Sequence, residues 1–193
     1  MPRILVFAGS TRNGSFHRKL AQAAAAGLEK AGASVTLADL RDYPTPLYDG
    51  DLEASQGLPD RAKAFKELLR SHDAFVIASP EYNGSFSAVL KNSIDWASRP
   101  EAGEGYLDVF RGKTAAILAA SPGSGGGQRG LRHLRELLGM IGVTVIPAQL
   151  TIARVSNAFD PQGKLVRPDA VEGLNRMLAE LLAALEPTRA RVA

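Results

Sequence analysis

Cysteine is absent from this chain of 193 residues. A disulfide framework, a thiolate metal site and a cysteine nucleophile are therefore excluded at once. Histidine is scarce: His17, His72 and His133 are the only three, far apart and outside any cluster of acids. No apolar run is long enough to span a membrane. The opening Pro2-Arg3 leads straight into a short strand-like run, without the layout of a signal peptide. No block of like charge exists either. The 23 basic and 20 acidic residues leave a net charge of +3. The bases are dispersed: Arg61, Lys63, Lys66 and Arg70 sit among acids, as do Arg132 and Arg135. That pattern reads as a solvated surface rather than a nucleic-acid interface. Together these absences suit a cytoplasmic protein.

What is present is alternation. Short apolar runs take turns with amphipathic segments. Residues 3–8 read as a first strand, followed by Phe16, Leu20, Ala24, Gly27, Leu28 and Ala31 at helical spacing and a stop at Gly32. Residues 34–40 read as a second strand. The polar, proline-bearing stretch that follows is too long for an ordinary link and is expected to be a lid or an interface loop. Ala62, Phe65, Leu68 and Leu69 mark a helix, 74–79 a third strand, and Leu90, Ile94 and Ala97 another helix. After an irregular stretch, 114–120 gives a fourth strand and Leu131, Leu134, Leu138 and Ile141 a helix. Val143–Pro147 is expected to be a short fifth strand, with irregular chain from there to about Arg167. Pro168-Asp169 opens the last helix.

Five strands separated by helices predict an α/β fold, a single parallel sheet with helices on both faces. The natural strand order is 2-1-3-4-5. One domain is expected over 1–186, with 187–193 a frayed tail. Ligands of such a sheet lie beyond the carboxyl ends of its strands, at the switch point beside the first strand. Three unusual loops follow strands 1, 3 and 4, so all three should meet at one edge.

The first loop, Gly9 to Ser15, joins a strand end to a helix N-terminus, where free N–H groups and the helix dipole favour an anion. Ser10, Thr11 and Ser15 add hydroxyls, and Arg12 adds a charge suited to phosphate. It is not a Walker A loop, since no Gly-Lys-Ser/Thr follows. A plain turn capped by Ser15 is the alternative. The second loop, Pro80-Glu81-Tyr82-Asn83-Gly84-Ser85, could display backbone amides to the edge of a heterocycle and lay Tyr82 against its face. Alternatively Tyr82 is a core or lid aromatic and Glu81 a solvated acid. In the third loop, Gly125, Gly127 and Gly130 spell G-x-G-x-x-G. The acid that a dinucleotide fingerprint needs about 20 residues on is missing, and the motif follows the fourth strand rather than the first. The glycines are better read as room for a large flat ligand. A phosphate cradle, a loop with an aromatic and exposed amides, and a glycine floor together suit FMN.

The stretches "GSTRNGSFHRKL", "PEYNGSFSAVLKNSIDW" and "SPGSGGGQRGLRHLRELL" resemble the NADPH-dependent FMN reductase family, in its quinone and chromate reductase branch. The resemblance runs from the first strand to the last helix. It implies a flavodoxin-like three-layer sandwich and an NAD(P)H oxidoreductase working by two-step hydride transfer through FMN. Quinones, or azo, chromate or nitro compounds, would be the small-molecule acceptors, and NADPH or NADH the reductant. It implies further that Ser10, Thr11, Arg12, Ser15 and Phe16 serve the FMN phosphate, that Pro80, Glu81, Tyr82 and Asn83 run along the flavin ring, and that Ser121 lies near the ring's far edge. No side chain is expected to be catalytic, because the flavin carries the chemistry. A homodimer or homotetramer is implied.

His17 stands where the family often has Asn; it could donate to the phosphate, confer pH dependence, or be a surface helix residue. Ser87 stands where Pro is frequent and could cap the next helix. The stretch around Gly103–Asp108 is longer than usual. Arg99, Arg111 and Arg129 are candidates to meet a 2′-phosphate. Three rivals remain at this stage: a flavodoxin-type electron carrier, a reductase that releases free reduced FMN, and a non-flavin nucleotide-binding protein.

Overall fold

The computed structural model describes residues 1–186; the expectation of a frayed tail at 187–193 lies outside the described residues. Five strands build the central sheet: β1 (Arg3–Ala8), β2 (Ser34–Asp39), β3 (Ala74–Ala78), β6 (Thr114–Ala120) and β7 (Thr144–Ile152). All are parallel, in the order β2-β1-β3-β6-β7. Counted along the sheet strands alone, this is the expected 2-1-3-4-5. The helices are α1 (Phe16–Lys30), α2 (Gly50–Gln56), α3 (Asp60–Ser71), α4 (Ala88–Ala97), α5 (Gln128–Met140) and α6 (Pro168–Leu185). A small antiparallel hairpin, β4 (Glu81–Tyr82) and β5 (Ser85–Phe86), stands apart from the main sheet.

The strands point successive side chains to opposite faces. In β1, Ile4, Val6 and Ala8 enter one core with Leu20 and Leu28 of α1 and Leu174 and Leu181 of α6. Leu5 and Phe7 enter the other, with Phe65 and Leu69 of α3, Leu90 and Ile94 of α4, and Leu131 and Leu134 of α5. Every β1 residue from Ile4 to Ala8 is buried. A sheet covered on both faces thus gives the flavodoxin-like three-layer sandwich.

Two readings of the sequence need correction. The fifth strand extends to Ile152 instead of ending at Pro147, because the register breaks in its middle. While β6 advances from Ala115 to Ile117, β7 advances from Val145 to Gln149. The carbonyls that this bulge frees are taken by Arg135, whose guanidinium donates to Val145 O (3.1 Å), Ile146 O (2.8 Å) and Pro147 O (3.3 Å). The freed N–H of Ala148 goes to Glu180 at 2.9 Å. Lys66 is not part of a solvated face: it is buried, and its Nζ donates to Arg99 O (2.6 Å) and to the Glu104 carboxylate, which Arg70 also engages. His72 is buried as well, between Leu68 O (2.6 Å) and Thr36 Oγ1 (2.7 Å).

The long connection between β2 and α3 is a strap pinned to α4. Asn92 accepts from Tyr48 N (2.8 Å) and donates to Pro46 O (2.8 Å), while Trp96 Nε1 donates to the same carbonyl at 2.8 Å. Asn92 and Trp96 are four apart, so one helix face holds both pins. The Tyr48 ring meets the fully buried Trp96 edge-on, with centroids 5.0 Å apart. Arg99 Nε reaches the Glu53 carboxylate at 2.9 Å and closes the strap.

Candidate functional site

The carboxyl ends of β1, β3 and β6 lie side by side, and the loops leaving them are bonded to one another. Gly9 N donates to Ala78 O at 2.9 Å, so the first loop leaves β1 still tied to β3. Ser87 Oγ donates to Gly9 O at 2.6 Å and accepts from Leu90 N at 3.2 Å. One buried hydroxyl therefore caps α4 and joins the second loop to the first. His17 Nε2 accepts from Ala120 N at 3.1 Å, linking the start of α1 to the end of β6.

Within the first loop, Ser10 and Ser15 are buried while Thr11, Arg12 and Asn13 are exposed. Ser15 is the N-cap of α1 and accepts from His17 N at 3.2 Å. The Arg12 guanidinium has no hydrogen-bonding partner among the described residues. Phe16 turns the other way and stacks on Phe159, with centroids 6.1 Å apart. His17 is buried, which overturns its reading as a surface helix residue. Its pKa is lowered to about 4, by burial first and then by the nearby Arg12 charge. With Nε2 accepting from a backbone N–H, the neutral ring carries its proton on Nδ1. Sequence reasoning missed the cations beside this loop. Asp39, at the end of β2, receives Arg18 and Arg41, each at 2.7 Å, and Arg41 also donates to Asn13 Oδ1 at 3.1 Å. Burial alone would raise the Asp39 carboxyl, but bonds from Arg41 and the two guanidinium charges hold it below the usual range.

The second loop is a two-residue hairpin. Asn83 (φ 52°) and Gly84 (φ 81°) have the left-handed conformation that a type I′ turn requires. Tyr82 is 55% exposed, so it is no core aromatic. Pro80 is buried at the base of the hairpin. Glu81 is not a solvated acid: its Oε2 accepts from Gly130 N at 2.9 Å, in the first turn of α5. A carboxylate there complements the helix dipole and satisfies an end N–H.

That contact also explains the glycine motif. A Cβ on Gly130 would lie 3.2 Å from Glu81 Cβ and 3.3 Å from Ser85 O. Gly127, at φ 89°, would put one 2.6 Å from Ala119 Cβ. These glycines seat the third loop and α5 against β6 and the hairpin. Ser121 is tied to β7, with its N donating to Ile152 O at 2.9 Å and its O accepting from Val155 N at 3.0 Å. Ser124 and Gly125 beside it are exposed.

The arrangement offers a helix N-terminus with an unpaired arginine, an exposed aromatic on a rigid hairpin, and a glycine-rich rim. The structure brings all eleven predicted residues to this edge: Ser10, Thr11, Arg12, Ser15, Phe16 and His17 after β1, Pro80, Glu81, Tyr82 and Asn83 after β3, and Ser121 after β6. Phe16 and Glu81 spend their contacts on protein. Among the described residues, no group of three or more His, Cys, Asp or Glu could hold a metal ion, and no helix is long and apolar enough to cross a membrane.

A family model described as NADPH-dependent FMN reductase matches residues 2–157. The chain is 41% identical over 180 residues to an NAD(P)H-dependent FMN reductase of Pseudomonas aeruginosa, covering 93% of this chain and 92% of that protein. It is 33% identical over 183 residues to a quinone reductase of Escherichia coli, covering 91% of each. Among solved structures it is similar to FerB of Paracoccus denitrificans, a flavoenzyme NAD(P)H:(acceptor) oxidoreductase, with a TM-score of 0.77, 25% identity, and 95% and 96% of the two chains covered.

Proposed function

Because the chain belongs to the NADPH-dependent FMN reductase family, we propose that it binds FMN at the joined carboxyl ends of β1, β3 and β6. There it passes electrons from NAD(P)H to quinones or similar small acceptors. The observation that carries this reading is the bonding between the segments that bear the three loops: Ser87 to Gly9, His17 to Ala120, and Glu81 to Gly130. Loops tied in this way hold one shape, which lowers the ordering cost of binding a rigid, flat cofactor.

The residues present fit the group. Arg12 and the N-terminus of α1 would hold the phosphate, with Ser10, Thr11 and Ser15 shaping the cradle. The neutral His17 can offer Nδ1–H on the same side. Tyr82 and Asn83 would border the ring on one flank and the rim from Ser121 on the other. Bound FMN supplies the hydride chemistry, and the protein supplies position and electrostatics. The open edge leaves one side accessible to reductant and acceptor in turn.

In this proposal residues 1–186 act as one FMN-binding domain, and the chain works as a homodimer or homotetramer, which light scattering reads. The exposed Leu47 and Tyr106 are apolar surface available for that assembly. The test of the function is a visible spectrum of the purified protein with FMN, then NADPH added under nitrogen, then a quinone. Flavin bands that bleach with NADPH and return with quinone are expected. A protein that stays colourless at any FMN concentration sinks the proposal. Bands that bleach and are lost with the small molecules on gel filtration would instead identify a reductase that releases reduced FMN.

A further inference from the structure

An open pocket of about 480 Å³ lies beside the third loop, lined by Ser124, Ala153, Arg154, Arg167 and Asp169. Arg154 is one of three non-glycine residues with positive φ among the described residues, at φ 49° and ψ 50°. A side chain costs energy in that conformation, and the surroundings must impose it. Here they do so from both sides. Arg154 N donates to Gly123 O at 3.0 Å, within the glycine loop. Arg167 Nη1 donates to Ala153 O at 2.8 Å and reaches Arg154 O at 3.4 Å. The Arg154 side chain is exposed, and its guanidinium has no partner among the described residues. Asp169, the one acid in the pocket, is already paired with Arg167 Nε at 2.8 Å. The free charge of the pocket is therefore the positive charge of Arg154, next to the hydroxyl of Ser124.

Two arginines singled out in the sequence as partners for a 2′-phosphate are occupied elsewhere. Arg99 is held by Glu53 and lies over the Tyr48 ring. Arg111 lies over the Tyr106 ring. Arg129 stands on α5 and does not line this pocket. We propose that Arg154, with Ser124, forms a subsite at the rim of the flavin loops for the adenosine 2′-phosphate of the reductant, which makes the chain prefer NADPH to NADH. The proposal rests on the reductase reading above. Arg167 is a positioning residue here, because it holds the backbone from which Arg154 projects.

The test uses calorimetric titration of the FMN-saturated protein with adenosine 2′,5′-bisphosphate and with 5′-AMP, which differ only in the 2′-phosphate. The bisphosphate should bind the unaltered protein about tenfold or more tightly than 5′-AMP, the scale of one charge-assisted contact. Arg154→Ala should erase that ratio and raise KM for NADPH relative to KM for NADH by a similar factor. Arg154→Gly keeps the left-handed backbone without strain, and it should show the same loss with an unlowered melting temperature. Equal binding of the two nucleotides by the unaltered protein, or a ratio unchanged in both variants, overturns the proposal. If the flavin reading itself is wrong, the protein stays colourless with FMN. The two failures are thereby told apart.

Discussion

The two edges of the same sheet are built on opposite principles. At the amino-terminal edge, polar groups are spent on each other. Arg3 N donates to Asp73 at 2.7 Å, Lys113 Nζ caps Arg70 O at 3.0 Å and also reaches His72 O, and His72 bridges Leu68 and Thr36. At the carboxyl edge, Arg12, Tyr82 and Arg154 stand exposed, and two of the three non-glycine residues with positive φ among the described residues, Asn83 and Arg154, are found there. The first edge converts polar side chains into scaffold. The second holds its backbone rigid with bonds between loops and leaves side-chain charge unspent, and unspent charge on a fixed frame can recognise a ligand. The difference shows that an unpaired arginine has meaning only beside a backbone that cannot relax around it.

The comparison is hardest to keep where the carboxyl edge also bears structural load, and Gly127 is that place. Gly127→Ala adds a Cβ 2.6 Å from Ala119 at φ 89°. It should cost about 3 kcal/mol in denaturant unfolding, from strain and overpacking combined. A cost below 1 kcal/mol would mean that the glycine loop is free to move.

Next comes His17, buried at the carboxyl edge with its pKa lowered to about 4. A lowered histidine pKa means that the unfolded chain binds the proton more readily. The corresponding stability is fully present above about pH 6.5 and is lost as pH falls toward 4, on the order of 3 kcal/mol in total. Asp39, Glu53 and Asp73, held below their usual values, lose their contributions in more acid solution. His17→Asn should therefore flatten the stability curve between pH 6.5 and 4 and leave the steeper acid limb in place. A curve of unchanged slope in that window would refute the buried neutral imidazole.

Arg12→Ala sharpens the contrast directly. It should raise the FMN dissociation constant about 10–100-fold, which corresponds to about 1.5–3 kcal/mol, with the apo-protein melting temperature unchanged. Saturating FMN should restore most of the rate. The smallest effect is expected on the opposite edge. Asp73→Asn weakens an exposed ion pair at 3.5 Å and a backbone bond, and should cost below about 1 kcal/mol of stability with no change in FMN affinity. A loss of FMN affinity in this variant would dissolve the division of labour between the edges.

The carboxyl edge was legible in the sequence because its signals are local. A strand end, a hydroxyl-rich turn and a helix start follow one another within Gly9–Phe16, and Asn83-Gly84 specifies its own turn. The bonds that unite the loops were not legible. His17 meets Ala120 across 103 residues, and Glu81 meets Gly130 across 49. Neither pairing leaves a periodic trace. Reading Glu81 as a solvated acid failed because a carboxylate looks the same in sequence whether water or a helix N-terminus receives it. The fifth strand was cut short because the bulge opposite Ala115–Ile117 interrupts its alternation, and Pro147 sits inside that interruption.

The sequence by itself determined the five sheet strands, their order and the edge where the three loops meet. Hydrophobic period and right-handed crossovers leave one economical arrangement for five buried parallel strands. Only the tertiary structure decided which polar groups are spent and which remain available. Lys66, His72 and Glu81 went to the scaffold, while Arg12 and Arg154 have no partner among the described residues, because pairing depends on distance in space, and neighbours in the chain do not fix that distance.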